Sequence, residues 1–318
     1  MRQFSPLVRS RALQSGDRVA LIAPSSRYDE KALDRGIEVL QSWGLVVDAP
    51  TPSATLRYLA ASDDERAAHL ADAFARDDVA ALIGVRGGFG SARLFGRFDA
   101  AVARAHPKLF VGYSDVTLLL SRLSSEAGLV CFHGPMAASD LPRLSPAQLE
   151  RFRRFLFDEE GWWAGDGLTP LVRGQATGRL AGGCLSVLVT TLGTPYEIDT
   201  RGAVLFLEDI AEPSYRIDRM LTHLAHAGKL DEMAAVVLGA FHDCEPADQI
   251  HEIVVEIFGA RGIPVVSGFD GGHHSGAAVV PIGCEVRVDA DAGRVELLEP
   301  VFAASPGRPD LSASMSVR

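Results

Sequence analysis

Short apolar runs alternate with helical patterns over the first 136 residues of the chain. The segment DRVALIAPSSR at 17–27 contains an apolar strand that Pro24 ends, and Asp29 to Trp43 follows with apolar residues at helical spacing. The pattern continues with strands at 45–47, 79–85 and in KLFVGYS, and with helices at about 63–76 and from Asp115 to Ala127. Strands that are continuous apolar runs and alternate with helices predict a parallel sheet covered on both faces.

The character of the sequence changes at 137–172, where prolines, the charged helical segment RFRRFLFDEE and the stretch GWWAGDGLTP interrupt the alternation. We interpret this part as a connection between two domains. After it, 173–302 contain helices from Gly182 to Leu192, over 214–227 and over 247–259, the strands AVLFLE, AAVVLG and IPVVSG, and a closing hairpin, EVRVDADAGRVELLE. These elements predict a second, mixed α/β domain. The polar tail at 303–318 is predicted to be disordered.

Composition narrows the class of protein. The 318 residues carry a formal charge of −10 and the arginines are scattered, so there is no basic footprint for nucleic acid. No apolar window reaches the roughly 18–20 residues of a membrane span, and the first residues lack the apolar core of a signal peptide. The four cysteines lie far apart without a C-x-x-C pair, which favours reduced, packed thiols. We therefore expect a cytoplasmic protein that binds neither nucleic acid nor membrane.

The first candidate for chemistry is Ser114, in the segment GYSD. An apolar strand runs into this segment and a predicted helix runs out of it, so Ser114 lies on a tight turn at the carboxyl edge of the sheet. Open α/β folds bind their ligands at this edge, and the start of the following helix favours negative charge. Serine is also a common helix N-cap, so this feature alone leaves a purely structural role open.

A glycine-rich turn, RGGFG at 86–90, follows another strand. Neither G-x-G-x-x-G nor G-x-x-x-x-G-K-[ST] fits it, so nucleotide binding has no support. The adjacent Gly87 and Gly88 can instead offer backbone N–H groups to an oxyanion. A simple left-handed turn is the alternative interpretation.

Two further strand ends carry ionisable residues. Glu208 ends the strand AVLFLE, where a carboxylate is costly unless it is paired or functional. His273 and His274 follow IPVVS in a glycine-rich loop, which is a good position for a general base. Other histidines invite a zinc interpretation, but neither His223 with His226 nor the cluster HDCE at 242–245 has the spacing of a known zinc motif. No metal site is therefore predicted.

Together these segments resemble the LD-carboxypeptidase family, which also includes self-immunity peptidases against peptide-nucleotide antibiotics. The resemblance covers about residues 13 to 300 and runs in order through LQSGDRVALIAPSS, VRGGFGSARL, FVGYSDVTLLL, VRGQATGRLAGGCLSVL, VLFLEDIAEPSYRIDRMLTHL, VVLGAFHDC and IPVVSGFDGGHHSGAAVVPIG. It implies an α/β fold with a Rossmann-like, flavodoxin- or amidotransferase-like parallel-sheet domain at 1–136 and a mixed α/β domain at 173–302. It also implies a homodimer.

The resemblance assigns a catalytic triad to this sequence. Ser114 becomes the nucleophile, His273 the base and Glu208 the acidic member. His273 is preferred over His274 because it directly follows the glycine and has the family's distance to the later proline, and Glu208 is preferred over Glu212 because it occupies the strand end. The backbone N–H of Asp115, with that of Gly87 or Gly88, is predicted to form the oxyanion hole.

Substrate contacts are predicted at three more positions. A carboxypeptidase recognises a terminal carboxylate, and Arg86 beside the double glycine is our candidate for that contact. Cys184 stands where many family members carry Asn, so a polar substrate contact is missing or changed there. Trp162, next to Trp163, is a candidate to stack on a ring of the substrate, and packing as a hydrophobic anchor is the alternative.

The implied function is hydrolysis of an L,D-peptide bond. Such an enzyme releases the terminal D-amino acid of a small peptide, for example D-Ala from the murein tetrapeptide during recycling of the cell wall, and it needs neither a metal nor an organic cofactor. Two alternatives stay open. One is a self-immunity peptidase that acts on a peptide-nucleotide antibiotic, and the other is an inactive ligand-binding protein on the same fold.

Overall fold

The computed structural model describes residues 6–158, 165–274 and 278–304. The chain divides into two compact units, Met1–Trp162 with Pro300–Arg318, and Trp163–Glu299. Among the described residues, no helix combines the length and the apolar character that a bilayer crossing requires.

The first unit is built on parallel strands. Its strands are β1 Arg18–Ile22, β2 Val46–Asp48, β3 Val79–Gly84, β4 Leu109–Gly112 and β5 Cys131–His133, and its helices are α1 Glu30–Ser42, α2 Asp63–Ala75, α3 Ala101–Ala105, α4 Thr117–Arg122 and α5 Pro146–Leu156. The strands lie side by side in the order β5-β4-β3-β1-β2, and each pair is parallel. Strand β4 is buried over its whole length, which is why it reads as an uninterrupted apolar run. The predicted parallel sheet is confirmed.

Capping side chains mark the starts of α1 and α2. The Asp29 side chain accepts a hydrogen bond from the backbone N–H of Ala32 at 2.7 Å, and Ser62 caps α2 in the same way. These side chains satisfy backbone donors that the first helical turn leaves unpaired. Gly44 follows α1 with a φ of +80°, a conformation that glycine adopts without steric cost. The predicted end of this helix is therefore correct.

The second unit contains a mixed sheet. Its strands are β6 Thr169–Val172, β7 Gln175–Cys184, β8 Ala203–Ile210, β9 Ala235–His242, β10 Val265–Ser267, β11 Val280–Ile282, β12 Glu285–Asp289 and β13 Arg294–Leu297, and its helices are α6 Leu185–Leu188, α7 Ser214–His226 and α8 Ala247–Gly259. Seven strands pair in the order β13-β12-β7-β8-β9-β10-β6. The four from β7 to β10 are parallel, whereas β6, β12 and β13 pair antiparallel. The closing hairpin predicted at 285–299 is confirmed as β12 and β13.

The core of the second unit joins its sheet to its two long helices. Leu205 and Leu207 of β8 belong to one buried cluster with Ile217 of α7 and Phe258 of α8. These side chains are at most 1% exposed. Because the cluster fixes β8, it also fixes the position of the carboxylates at the end of that strand.

The helix predicted from Gly182 to Leu192 is wrong at its start. Strand β7 continues through Cys184, and the α-helix covers only Leu185–Leu188 before a 3₁₀ turn at Val189–Thr191. A Cβ atom on Gly182 would lie 2.0 Å from the carbonyl oxygen of Phe206 on β8. The glycine therefore marks a close approach between two strand backbones, which sequence alone does not distinguish from a helix start.

Candidate functional site

Ser114 lies on a strained turn between β4 and α4. The strand ends at Gly112, and a 3₁₀ turn over Ser114–Val116 leads into the helix. The φ angle of Ser114 is +59°, in the left-handed region that costs a non-glycine residue about 1–2 kcal/mol. A serine held in this way between a strand and a helix is typical of the nucleophile elbow of hydrolases. The predicted strand-turn-helix setting of Ser114 is confirmed.

Gly87 makes room for this serine. A Cβ atom at position 87 would lie 2.6 Å from the Cβ of Ser114 and 3.4 Å from the backbone nitrogen of Asp115. Only glycine therefore lets the RGGFG turn approach the serine so closely. Gly88 lies against another residue, because its Cβ would be 2.3 Å from the Oγ of Ser26. Of the two predicted oxyanion glycines, Gly87 is the one that borders Ser114.

The Asp115 side chain joins the loops around the serine. Its Oδ2 accepts a hydrogen bond from the Ser25 hydroxyl at 2.6 Å and another from the Ser91 backbone N–H at 2.8 Å. Burial raises the pKa of this carboxyl, and the hydrogen bonds from Ser25 and Ser91 act in the opposite direction. Asp115 thus links the end of β1, the segment after RGGFG and the serine turn.

Arg66 supports the same loops from α2. Its guanidinium donates hydrogen bonds to the backbone oxygens of Pro24 and Gly90, the latter at 3.1 Å, and pairs with Asp63 at 2.6 Å. The residue is only 4% exposed, and burial is the main cause that lowers its pKa. Sequence analysis did not identify Arg66, Ser25 or Ser91 as contributors to the site. Ser25 lies in the APSS segment and Ser91 directly follows RGGFG, and both segments can be recognised in the sequence. Their positions along the chain do not indicate that they hydrogen-bond to Asp115.

Glu208 and His273 are brought together in the second unit. Strand β8 continues for two residues beyond Glu208, the predicted strand end. The carboxylate of Glu208 is fully buried, and its Oε2 lies 2.6 Å from Nδ1 and 3.0 Å from the backbone nitrogen of His273. Gly272 allows this contact, because a Cβ there would lie 2.8 Å from the same oxygen. An imidazole held through Nδ1 by a buried carboxylate presents its other nitrogen for proton transfer.

The rival residues have other partners. Nε2 of His274 lies 3.2 Å from Oδ1 of Asp270. Glu212 forms an ion pair with Arg216, with 2.7 Å between nitrogen and oxygen. The second unit thus brings the predicted Glu208 and His273 together, whereas Glu212 and His274 contact Arg216 and Asp270.

Cys184 lies beside this pair. It is the register partner of Glu208 across β7 and β8, and its Sγ forms a group with ligand atoms of Glu208 and His273 that all lie within 4.8 Å of one another. Burial is the largest cause that raises the pKa of this thiol well above its ordinary value, and the charges of Glu208 and Asp209 add to it. The side chain is therefore a protonated thiol next to Glu208 and His273.

Asp209 is a second buried carboxylate at the end of β8. Oδ2 accepts the backbone N–H of Ser186 at 2.7 Å, and Oδ1 accepts the hydroxyl of the same serine at 3.0 Å. Burial raises the pKa of Asp209, while these hydrogen bonds oppose that effect. Asp209 holds the start of α6 next to Cys184, a role that the sequence did not reveal.

The remaining candidates from the sequence are Arg86, Trp162 and the histidines considered as metal ligands. Arg86 is exposed, and its guanidinium donates to the backbone oxygen of Arg27 at 3.1 Å. Trp162 lies outside the described residues. Within the described part of the chain, the only group of three side chains placed to hold a metal ion is Cys184, Glu208 and His273, and neither His223 with His226 nor the 242–245 segment belongs to it.

A serine on a strained elbow and a carboxylate-bound histidine are the side chains that serine hydrolases use. Residues 19–134 match the LD-carboxypeptidase N-terminal domain family, and residues 177–288 match the LD-carboxypeptidase C-terminal domain family. The chain belongs to the LD-carboxypeptidase family, whose members include the microcin self-immunity protein MccF.

Individual relatives agree with this assignment. The chain is 40% identical over 300 residues to a probable murein peptide carboxypeptidase of Bacillus subtilis, with 90% of this chain and 93% of the relative covered. A crystal structure of a muramoyltetrapeptide carboxypeptidase from Oxalobacter formigenes is 32% identical and superimposes with a TM-score of 0.79, covering 88% of this chain and 97% of that one. The structure of the microcin C7 self immunity protein MccF superimposes with a TM-score of 0.83 at 22% identity over 93% of this chain and 100% of that one. This last comparison shows the shared two-domain α/β fold.

Proposed function

We propose that this protein is a serine carboxypeptidase that hydrolyses an L,D-peptide bond and releases the C-terminal D-amino acid of a murein tetrapeptide. The observation that carries the proposal is the buried carboxylate of Glu208 held 2.6 Å from Nδ1 of His273. In a family of carboxypeptidases, this pair supplies the base that a serine nucleophile needs. The names of the Bacillus and Oxalobacter relatives support the choice of a murein peptide.

The proposed reaction begins at Ser114. His273 accepts the hydroxyl proton as Oγ attacks the scissile carbonyl, and Glu208 stabilises the imidazolium that forms. The backbone N–H of Asp115, with that of Gly87 or Gly88, donates to the oxyanion, and such donors contribute about 3–4 kcal/mol each in other hydrolases. His273 then returns the proton to the leaving D-amino acid. A water molecule, deprotonated by His273, hydrolyses the acyl-enzyme and restores the serine.

The first test is release of D-Ala by the purified protein. A murein tetrapeptide with D-Ala after the L-centre of diaminopimelate should lose that residue, whereas the same peptide ending in L-Ala should not. A third reaction contains an aspartyl-nucleotide conjugate of the microcin type. Cleavage of the conjugate alone would replace the murein proposal by the self-immunity function, and cleavage of neither compound would favour an inactive binding protein.

Arg86 is proposed to hold the terminal carboxylate of the substrate. It is exposed at the RGGFG turn, directly before the glycine that borders Ser114. A hydrogen bond to a charged group contributes about 1.5–3 kcal/mol, so Arg86→Ala should raise KM by about 10- to 100-fold and change kcat little. Arg35→Ala, which removes an exposed arginine from α1, is the matched control. An unchanged KM in Arg86→Ala would remove Arg86 from this role.

The proposed function also predicts the compartment in which the enzyme acts and its oligomeric state. An enzyme that recycles murein fragments acts on small soluble peptides in the cytoplasm, and the family resemblance implies a homodimer. Sedimentation equilibrium of the purified full chain measures its mass directly, and a monomer at all concentrations would contradict the dimer.

A further inference from the structure

The group formed by Cys184, Glu208 and His273 has the composition of a divalent-metal site. The Sγ, one carboxylate oxygen and one ring nitrogen lie within 4.8 Å of one another. Strand pairing places the first two together, because Cys184 and Glu208 are register partners on β7 and β8 and such partners project on the same face of a sheet. The third follows from the hydrogen bond between Glu208 and His273.

This set of ligands suits zinc. Thiolate, imidazole and carboxylate are its three usual protein ligands, and open zinc sites combine three of them with one water molecule. Tetrahedral zinc at ordinary bond lengths places its ligand atoms roughly 3.3–3.6 Å apart. The sulfur therefore needs to approach by no more than about 1 Å, and Oε2 of Glu208 and Nδ1 of His273, now 2.6 Å apart, need to separate by about 1 Å or less. A thiolate selects against the hard cations Mg²⁺ and Ca²⁺, which take oxygen ligands.

We propose that zinc binds Cys184, Glu208 and His273 and thereby inhibits the enzyme. The inhibitory part rests on the proposed function, because it requires His273 to be the base. The zinc ion takes the place of the proton between Nδ1 of His273 and Glu208, that proton moves through solvent to Nε2 to give the other neutral tautomer, and coordination releases the thiol proton of Cys184 to solvent. Nδ1 is then bound to the metal and Nε2 carries a hydrogen, so the imidazole cannot accept the proton of Ser114.

Cys184 supplies the sulfur ligand of this site. The reaction proposed above assigns no step to its sulfur. Family members with Asn at the corresponding position lack the thiolate, and the remaining imidazole and carboxylate would form only a two-ligand site. Zinc inhibition should therefore distinguish this protein from those relatives.

Cobalt provides a test that is independent of the reaction. Metal-free full-length protein is titrated with Co²⁺ and the near-ultraviolet thiolate-to-cobalt charge-transfer absorption is recorded. The wild type should develop this band with one equivalent of Co²⁺, and Zn²⁺ should abolish it by displacement. Cys184→Ser and Cys184→Asn should lack the band. Cys244→Ser should keep it, because Cys244 is a buried cysteine of the same unit outside the metal-ligand group.

Inhibition is measured as the Zn²⁺ concentration that halves tetrapeptide hydrolysis, with each variant compared with its own metal-free rate. Loss of an outer-shell partner alone weakens metal sites by about 10- to 100-fold, so loss of the sulfur ligand should raise this concentration by at least about 100-fold. EDTA should restore the wild-type rate.

A wild type without the charge-transfer band, or a band that persists in both Cys184 variants, would overturn the metal site. Equal zinc sensitivity of the wild type and Cys184→Asn would overturn the inhibitory mechanism. A band that depends on Cys184 in a protein that hydrolyses no peptide would support the site and contradict the proposed function, so the two failures are distinguishable.

Discussion

Ser114→Ala is expected to lower kcat for D-Ala release by about 10⁴- to 10⁶-fold, the range found when a serine protease loses its nucleophile. Alanine has no hydroxyl and cannot form the acyl-enzyme. The base then has no nucleophile to deprotonate, and the oxyanion donors have no covalent tetrahedral intermediate to stabilise. The variant keeps a Cβ at a position with φ of +59°, so the strain of the turn is unchanged. Initial rates on the tetrapeptide give the loss in kcat.

A fluorophosphonate provides a second measurement of the same serine. The wild type should form one covalent adduct, identified by mass spectrometry on the peptide that contains Ser114, and Ser114→Ala should form none. Ser125→Ala is the matched control, because Ser125 is exposed and its hydroxyl donates to the backbone oxygen of Arg122. Undiminished labelling or turnover in Ser114→Ala would exclude Ser114 as the nucleophile.

The setting of Ser114 was predictable because it is local. Strand β4 is buried, so its sequence is a continuous apolar run, and the end of that run places the turn at GYSD. The left-handed φ of the serine was not predictable, because serine has no strong preference for that conformation. In this conformation the serine packs so closely against Gly87 that a side chain there would clash with it. The sequence therefore located the turn but not the conformation of its central residue.

Contacts between distant segments were less accessible from the sequence. Glu208 and His273 are 65 residues apart, and they were paired through the family resemblance rather than through spacing. The position of Cys184 beside them depends on the register of β7 with β8. That register was hidden because Gly182 looked like the start of a helix. The hydrogen bonds of Asp115 are also not predictable from the sequence, because its partner Ser25 is 90 residues away.

Glu208→Gln is expected to reduce kcat by about 10⁴-fold, as the equivalent carboxylate-to-amide change does in a serine protease triad. The Glu208 oxygen Oε2 accepts both the ring and the backbone N–H of His273 at 2.6 and 3.0 Å. An amide can direct its NH₂ group at the imidazole, which favours the wrong tautomer, and it carries no charge to stabilise the imidazolium. Steady-state rates on the tetrapeptide measure the loss, and far- and near-ultraviolet circular dichroism verify the fold.

Glu212→Gln is the matched control, because it makes the same chemical change four residues away. Glu212 pairs with Arg216 rather than with a histidine, and burial raises the pKa of its carboxyl, so a neutral amide of the same shape is tolerated there. Its kcat should therefore stay within about tenfold of the wild type. A larger loss in Glu212→Gln than in Glu208→Gln would move the acidic role to Glu212. Losses of similar size in both variants would mean that the carboxylates act on the fold of the β8 end rather than on the imidazole.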